Sequence, residues 1–393
     1  MTASGFAIDE LPIPDSLDGP GGRDFSAMVE VRNAVEAATY GTDLLAVRAD
    51  ELLPQYRFQR YDLRRIFLAR AGGRVVGRGV LEWSTDEDDP ACWALVEVLP
   101  EHRRRGIGTA LADAVEGAHR EIGRPVLQGF VAHASAGGGV TAGDAGAGVA
   151  GAGAGGAPSG ARGGVAAGAG VLVPPTGYGS VAADDPGARF LVARGMTLEQ
   201  VSRGSILRLP VDPDILAAHR ARAADVAGSD YRVVVWTGLT PEERRADLAV
   251  LYTRMSTAEP LAGLAVIEAR YDEERVIEEE EVLQGGGRTL LTAAAEHVPS
   301  GRLVAFTRLA VPADRSRPTE QEETLVLDEH RGRRLGMLLK AANLQYLAEE
   351  APETPLVVTF NAEENRHMLR VNEALGFEAI GYEGSWKKST PPA

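Results

Sequence analysis

Two short basic turns are the parts of this 393-residue sequence best suited to chemistry. The first, Glu101-His102-Arg103-Arg104-Arg105-Gly106-Ile107-Gly108-Thr109, follows the apolar run Leu95-Val96-Glu97-Val98-Leu99-Pro100. The second, His330-Arg331-Gly332-Arg333-Arg334-Leu335-Gly336, follows Leu325-Val326-Leu327. Each runs into an amphipathic helix. Ile107, Leu111, Ala114, Val115, Ala118 and Ile122 share one face of the first, and Leu335, Leu338, Leu339, Ala342 and Tyr346 share one face of the second. Such a turn brings unpaired backbone N–H groups and the positive end of a helix dipole to one point. Glycine lets the backbone approach a phosphate closely, and arginine adds charge-assisted bonds. The implied ligand carries a pyrophosphate. The same residues also describe a plain helix start with solvated arginines. Neither turn is followed by the lysine–serine pair of a mononucleotide loop, and no acidic residue ends a following strand as a dinucleotide fold requires.

The elements that must position these turns recur in the same order in both halves. The first half predicts a helix over Phe25 to Tyr40, a hairpin from Ile66 to Trp83 turning at Gly72-Gly73, and a strand from Ala94 to Leu99. The basic turn follows, then a helix to Glu121, a strand from Pro125 to Val131, a helix near Ala188 to Ala193 and a last strand. The second half predicts helices Pro241 to Thr257 and Glu273 to Leu283, then strands Thr289 to Glu296, Arg302 to Val311 and Thr324 to Leu327. After its basic turn come helix Arg333 to Glu349, strand Pro355 to Phe360, helix Glu363 to Ala374 and strand Glu378 to Trp386. Two copies of one α/β unit describe this economically, with domains 1–210 and 231–393 joined by a linker, 211–230. A Gly/Ala-rich stretch at about 134–179 is too poor in apolar area to offset the entropy of ordering, and is expected to be a disordered insertion.

Composition narrows the function classes. A formal net charge of −15 opposes nucleic acid and anionic membrane as partners. The lone Cys92 excludes an internal disulfide and a multi-cysteine zinc site, and no metal is expected. No run of strongly apolar residues reaches membrane-spanning length, and Met1 to Pro14 lacks a signal pattern, so a cytoplasmic protein is expected.

The pattern R-x-x-G-x-G after a strand ending in proline, met by Arg103, Gly106 and Gly108, resembles the acetyl-CoA pyrophosphate loop of the GNAT superfamily of acetyltransferases. The second copy resembles a tandem GNAT subgroup of actinobacterial type through His330 to Gly336 with Lys340. Gln321 and Thr324 before the loop, and Thr359-Phe360-Asn361-Ala362, Asn365, Met368, Asn372 and Leu375-Gly376-Phe377 after it, extend that likeness. The resemblance spans the chain except its first two dozen residues, the insertion and the linker. It implies an α/β (α+β) protein of two tandem GNAT folds, each a mixed, mostly antiparallel twisted sheet flanked by helices. It also implies acetyl-CoA as co-substrate and direct attack by a small-molecule or peptide amine in a ternary complex, in a monomer with internal pseudo-symmetry or a dimer of it.

By the same resemblance Val98, Leu99, Arg103, Arg104, Arg105, Gly106, Ile107, Gly108 and Thr109 form one cofactor site. Val326, Leu327, Arg331, Gly332, Arg333, Arg334, Leu335, Gly336, Asn361 and Asn365 form the other, with Val98-Leu99 and Val326-Leu327 supplying backbone N–H groups to the thioester oxygen. The tyrosine that usually protonates the thiolate is replaced by Leu191 in the first copy and by Asn372 in the second. Arg334 stands where the family prefers glycine, at a helix start where an ordinary φ is expected. The C-terminal copy, which keeps the asparagines, is expected to be catalytic, with Glu322, Glu323 and Asn372 as candidate catalytic residues. Glu97 and Tyr382 are further candidates, and Glu278 to Glu281 either hints at a cationic acceptor or is a solvated helix face. Two other readings stay open: a non-catalytic acyl-CoA sensor or scaffold, and transfer of a longer acyl group.

Overall fold

The computed structural model describes residues 5–133, 170–258 and 260–389; the stretch 134–169, with most of the expected insertion, lies outside the described residues. The first half contains β1 (Phe6–Leu11), α1 (Gly22–Tyr40), α2 (Ala49–Arg57), β2 (Asp62–Ala71), β3 (Arg74–Ser84), β4 (Ala91–Val98), α3 (Ile107–Ile122) and β5 (Val126–His133). It continues with β6 (Val171–Leu172), β7 (Val181–Ala182), α4 (Pro186–Ala193) and β8 (Thr197–Arg208), and α5 (Pro213–Ala227) leads onward. The second half contains β9 (Tyr231–Thr237), α6 (Glu242–Ala258), α7 (Glu273–Gly285), β10 (Thr289–His297), β11 (Arg302–Val311) and β12 (Thr319–Val326). It ends with α8 (Leu335–Glu350), β13 (Leu356–Ala362), α9 (Arg366–Leu375) and β14 (Glu378–Ser389). Residues 170–179, expected within the insertion, include β6, which pairs with β7.

Periodicity explains the helices that carry the basic turns. Ile107, Leu111, Val115 and Ala118 bury one stripe of α3 against Phe67, Leu81 and Cys92 of the sheet. Leu335, Leu338 and Leu339 do the same for α8 against Ala293, Val304 and Ala305. Full burial of one such large aliphatic side chain stabilises by roughly 1.5–3 kcal/mol, so each stripe fixes its helix firmly on the strands behind it.

Twelve strands form one sheet in the order β1-β2-β3-β4-β5-β14-β8-β13-β12-β11-β10-β9. The order is the same arrangement read from either end, a pseudo-twofold centred between β14 and β8. All neighbours are antiparallel except β4–β5 and β12–β13. The last strand of each half leaves its own half. β14 lies along β5, from Tyr382↔His133 to Ser389↔Val126, while β8 lies along β13, from Ala362↔Ser202 to Leu356↔Arg208. The cause lies at the end of β8 and in α5. Leu207 and Leu216 enter the core of the second half beside Leu309 and Leu344, and Ala223 and Ala227 of α5 pack on α8. The end of β8 is therefore anchored in the second half before that half begins.

Two connecting segments share the same exchange. Leu44 and Leu45, between α1 and α2, pack on Ile206, Leu356 and Val358, and Ala46 accepts a hydrogen bond from Arg317. Conversely the segment after α6 lies on the first half, where Pro260 accepts from Gln200.

The exchange predicts that cutting the chain between β8 and β9 does not yield two independent folds. Residues 1–230 alone lose β14 and with it Trp386, which is 1% exposed in the first half's core. Truncating a buried tryptophan alone costs about 3–5 kcal/mol, a large part of a typical domain's stability. That fragment is expected to show no cooperative thermal transition by circular dichroism, and co-expression with residues 231–393 is expected to restore one. A cooperative transition in the isolated fragment would show that the exchange is dispensable.

Candidate active site

In both halves two parallel strands meet briefly and then part. β4 and β5 are paired only at Ala91↔Val126, Cys92↔Leu127 and Trp93↔Gln128, and β12 and β13 only at Thr319↔Val357 and Glu320↔Val358. Beyond these points each pair opens as a V, leaving backbone edges free for a ligand. The two openings differ locally. In the first half Gly129 sits so close to the Ala94 carbonyl that a Cβ there would lie 1.9 Å from its oxygen. In the second half β12 bulges: Thr324 faces Thr307 and Gln321 faces Leu309, so Glu322 and Glu323 together stand opposite Arg308. The Gln321 amide nitrogen holds this bulge, donating to the Arg308 carbonyl at 2.7 Å and to Thr307 Oγ1 at 3.0 Å. A bulge re-aims side chains that a regular strand would send to alternate faces. The β3–β4 register has no such shift.

The basic turns sit at the mouths of these openings. Helices α4, α5, α7 and α9 begin with Asp185, Asp212, Asp272 and Asn365 capping a backbone N–H. Helices α3 and α8 begin with no side-chain cap and no acidic residue in the first turn. Their orphan donors and positive dipole ends are thus left facing outward, the arrangement an anionic phosphate requires. Arg104, Arg105, Thr109, Arg333 and Arg334 are exposed, while Ile107 and Leu335 are buried and can serve a ligand only through their backbone.

Two expectations about these turns need correction. Arg334 does not have an ordinary φ: it is left-handed, at +56°, as is Gly106 in the equivalent place at +83°. Two residues earlier the assignment is reversed, with Arg104 at +61° and Gly332 at +78°. Both turns need two left-handed positions, and each meets one with glycine and one with arginine. The second correction concerns the strand amides. Leu99 N–H donates to Val76 O and Leu327 N–H to Val304 O, each at 3.0 Å, so neither is available to a thioester. Strand alternation turns the Val98 and Val326 backbone groups toward the opening instead. Their carbonyls receive Arg103 Nε at 3.0 Å and Arg331 Nε at 3.4 Å, so these arginines also brace the strand ends.

The interiors differ. The first V holds a small apolar cavity of about 80 Å³, lined by Leu95, Leu127, Val131, Leu191 and Trp386. The second is lined with polar groups: α8 carries buried Lys340 and Asn343 where α3 carries Ala112 and Val115. Asn372 donates to Asn361 Oδ1 at 2.7 Å, and its own Oδ1 is buried without a partner. Asn365 stands apart from this pair, because its side chain is the N-cap of α9. Among the other candidates, Glu97 is bound by buried Arg78, and Tyr382 packs with Val131 and Trp386 in the first half. Three residues of the acidic block of α7 are paired within the protein, and Glu281 is exposed. Glu278 binds Arg60 and Tyr61, Glu279 binds Arg275, and Glu280 binds buried Arg308 and Thr240.

On the face opposite α8, a cleft of about 430 Å³ opens at the point where β12 and β13 part. Gln321, Glu322, Glu323, Thr359 and Phe360 line it from the second half, Arg32, Glu36 and Leu45 from the first, and Glu383 from β14. Burial, followed by repulsion from Glu323 and Glu320, pushes the Glu322 carboxyl up to about 8. Burial, partly opposed by Arg32, pushes Glu36 up to about 7, and burial also raises Glu383. The corresponding face of the first V is covered: Gln128 donates to Ala265 O at 2.8 Å and accepts from Ala265 N–H at 3.0 Å. Glu36 and Glu383 escape a reading by local repeat because they belong to α1 and to the exchanged strand, far in sequence from the turn they face.

Residues 32–130 match the sequence profile of the acetyltransferase (GNAT) family. Among solved structures, a tandem GNAT protein from the clavulanic acid biosynthesis pathway is similar over 99% of both chains, with 24% identity and a TM-score of 0.67. A GCN5-related N-acetyltransferase from Sphaerobacter thermophilus aligns over 100% of this chain and 98% of its own, with 14% identity and a TM-score of 0.59. No curated protein matches the chain. Residues 32–130 thus carry a GNAT-family domain, and the whole chain has the fold of a tandem GNAT protein. The profile match runs from α1 to β5 and includes the turn Arg103 to Gly108.

The backbone of the turns yields a stability prediction of opposite signs. Gly106→Ala and Gly332→Ala place a Cβ on left-handed backbone and are each expected to cost about 1 kcal/mol. Gly336→Ala, at a helical position whose added Cβ meets nothing within 4 Å, is expected to gain up to about 1 kcal/mol. Urea midpoints measure all three, and a loss at Gly336 equal to that at Gly332 would contradict the backbone assignment.

Proposed function

We propose that this tandem GNAT protein transfers an acetyl group from acetyl-CoA to an amine, and that the C-terminal unit, 231–393, performs the transfer while the N-terminal unit, 1–210, binds acyl-CoA without turnover. The observation that carries this reading is the difference between the two openings. The second V opens at its apex into a cleft containing Glu322 and Glu323, whereas the same face of the first is covered through Gln128 and Ala265.

The uncapped start of α8, with Gly332 to Gly336, would hold the pyrophosphate, and the free edge of β12 at Val326 would receive the pantetheine arm. The amine arrives as an ammonium and must lose a proton before it can attack. Glu322, at the bulge, accepts that proton. The amine nitrogen then bonds to the thioester carbon, the carbon–sulfur bond breaks, the thiolate leaves with the bonding pair, and the nitrogen gives its second proton to water as the amide forms. The Val326 N–H is oriented toward the oxygen that gains charge in this step. Asn361 and Asn372 border the opening but have no proton to give, so the thiolate takes its proton from water. In the N-terminal unit the lining around Leu191 and Trp386 is mostly apolar, and its one carboxylate, Glu116, is taken up by Arg194 and Lys388, which supports a holding role there.

Two measurements test the reading. Gly336→Glu, at a position where an added Cβ meets nothing within 4 Å, sets a carboxylate against the phosphate site and is expected to abolish free-thiol release from acetyl-CoA. Gly108→Glu, where the nearest neighbours are 3.7 Å away or more, is expected to retain most of it. The reverse outcome would assign catalysis to the N-terminal unit.

The pH profile is a separate prediction. Glu322 acts as a base only when ionised, and burial with Glu323 and Glu320 nearby raises its carboxyl to about 8 against the opposing charges of Arg288 and Arg308. kcat/KM is therefore expected to fall as pH drops below about 8, and Glu322→Gln is expected to lower the rate by about 10²–10⁴-fold and to remove that limb. A Glu322→Gln variant with an unchanged profile would exclude Glu322 as the base.

A further inference from the structure

We propose that the acceptor site is shared between the two halves and takes an aliphatic amine carrying a second cationic group, such as a diamine. This inference rests on the acetyl-transfer reading above and names its substrate class. It begins from the charge balance of the cleft at the apex of the second V. The carboxylates around its rim have cationic partners: Glu36 binds Arg32 at 3.0 Å, Glu320 binds Arg288 at 3.0 Å, and Arg317 is taken up by Glu51. Those inside do not. Among the described residues Glu322, Glu323 and Glu383 form no ion pair within 4 Å, and Glu383 receives only the Tyr40 hydroxyl, at 3.1 Å. One carboxylate oxygen of Glu323 is buried with no hydrogen-bond partner among the described residues.

A second observation points into the same space. Thr359, the first residue of β13 beyond the paired segment, is only 3% exposed, lines the cleft, and makes no side-chain hydrogen bond among the described residues. The Thr359 hydroxyl is thus free to bond a ligand in the cleft, and a native fold rarely leaves an oxygen such as that of Glu323 buried without a use, since an unsatisfied buried carboxylate costs on the order of 1–3 kcal/mol or more. The cleft is therefore short of donors and of positive charge. A single ammonium to be acetylated must lose its charge at Glu322, so it cannot also be the lasting counter-ion. A second cationic group, away from the reacting nitrogen, can be, and it meets Glu383 together with the Glu36 oxygen that, among the described residues, Arg32 leaves unpartnered. The walls between these ends suit a hydrocarbon spacer. Leu44 and Leu45 line the cleft, and Phe360, 36% exposed, presents its ring there beside Tyr40.

The site is incomplete in either half alone. Glu322, Glu323 and Thr359 come from β12 and β13, Glu36 from α1, and Glu383 from the strand that the second half lends to the first. That shared construction makes the carboxylates of α1 and β14 determinants of acceptor choice, whereas the base lies on β12.

The test uses the full chain with acetyl-CoA and compares 1,4-diaminobutane with n-butylamine, amines of equal carbon number differing in the second charge. Free-thiol release is expected to show kcat/KM at least tenfold higher for the diamine. Glu383→Gln, an isosteric change, is expected to reduce that preference to less than threefold, mainly through KM, and Glu36→Gln to reduce it in the same direction. Calorimetric titration of 1,4-diaminobutane into the protein with CoA present gives a readout independent of turnover, and the variants' circular dichroism establishes that they fold. Equal kcat/KM for the two amines, or a preference that survives both substitutions, overturns the proposal and leaves acetyl transfer standing. Diamine binding that is lost in the Glu383 variant, without thiol release from any amine, upholds the cationic site and overturns the acetyl-transfer reading instead.

Discussion

The antiparallel pairing of β8 with β14, running from Glu378↔Ile206 to Lys387↔Thr197, joins two repeated units into one continuous sheet. Each of these strands is the last of its own half and the completing strand of the other. The rest of the architecture depends on that constraint. Since β14 must cross into the first half, it brings Trp386 to the lining of the first V and Glu383 to the cleft beside the second. Since β8 must cross into the second, α5 is drawn onto α8 and the α1–α2 connection onto β13. A pair of separately folded domains would have left both Vs flanked by their own elements only.

Two copies of one backbone plan have reached different interiors. The turns remain alike, down to the paired left-handed residues at Arg104 and Gly106 and at Gly332 and Arg334. The uncapped helix starts are alike as well, as the proposed phosphate sites, which depend on backbone donors and tolerate change in side chains, require. The layer beneath has diverged. Apolar Ala112, Val115 and Leu191 in one half correspond to Lys340, Asn343 and Asn372 in the other. Burying such polar groups costs free energy unless partners satisfy them, and the Asn372–Asn361 bond and the Asn343 bond to Leu291 O show that compensation. A half that kept only a packing role would have no reason to bear that cost.

The electrostatics of the second half form two layers. Arg308 and Glu280, both buried, neutralise one another beneath the bulge, with Tyr252 and Thr240 completing their hydrogen bonds. That pair gives the bulge a fixed base, while Glu322 and Glu323 above it face the cleft. The outcome is a carboxyl raised by desolvation and by like charge at once, as the proposed base requires.

Much of this was legible in the amino-acid order. Apolar residues at helical spacing after Gly106 and Arg334 announced α3 and α8, and glycines at 72 and 73 announced the β2–β3 turn, because local backbone preference and a one-sided stripe suffice to specify such elements. The repeat, the basic turns and their anion-binding character are equally local. Other features were decided only by the tertiary structure. Nothing near β14 in sequence states that its partner is β5, since strand pairing depends on which edges remain open once both halves have formed. The left-handed φ of Arg334 was hidden for a related reason: the geometry of the turn is imposed by the strand and helix it joins, and overrides the preference of the residue. The acidic cleft was the least visible of all. Glu36, Glu322 and Glu383 are far apart along the chain, and only the exchange of strands brings them within reach of one another and raises carboxyls that would be ordinary in isolation.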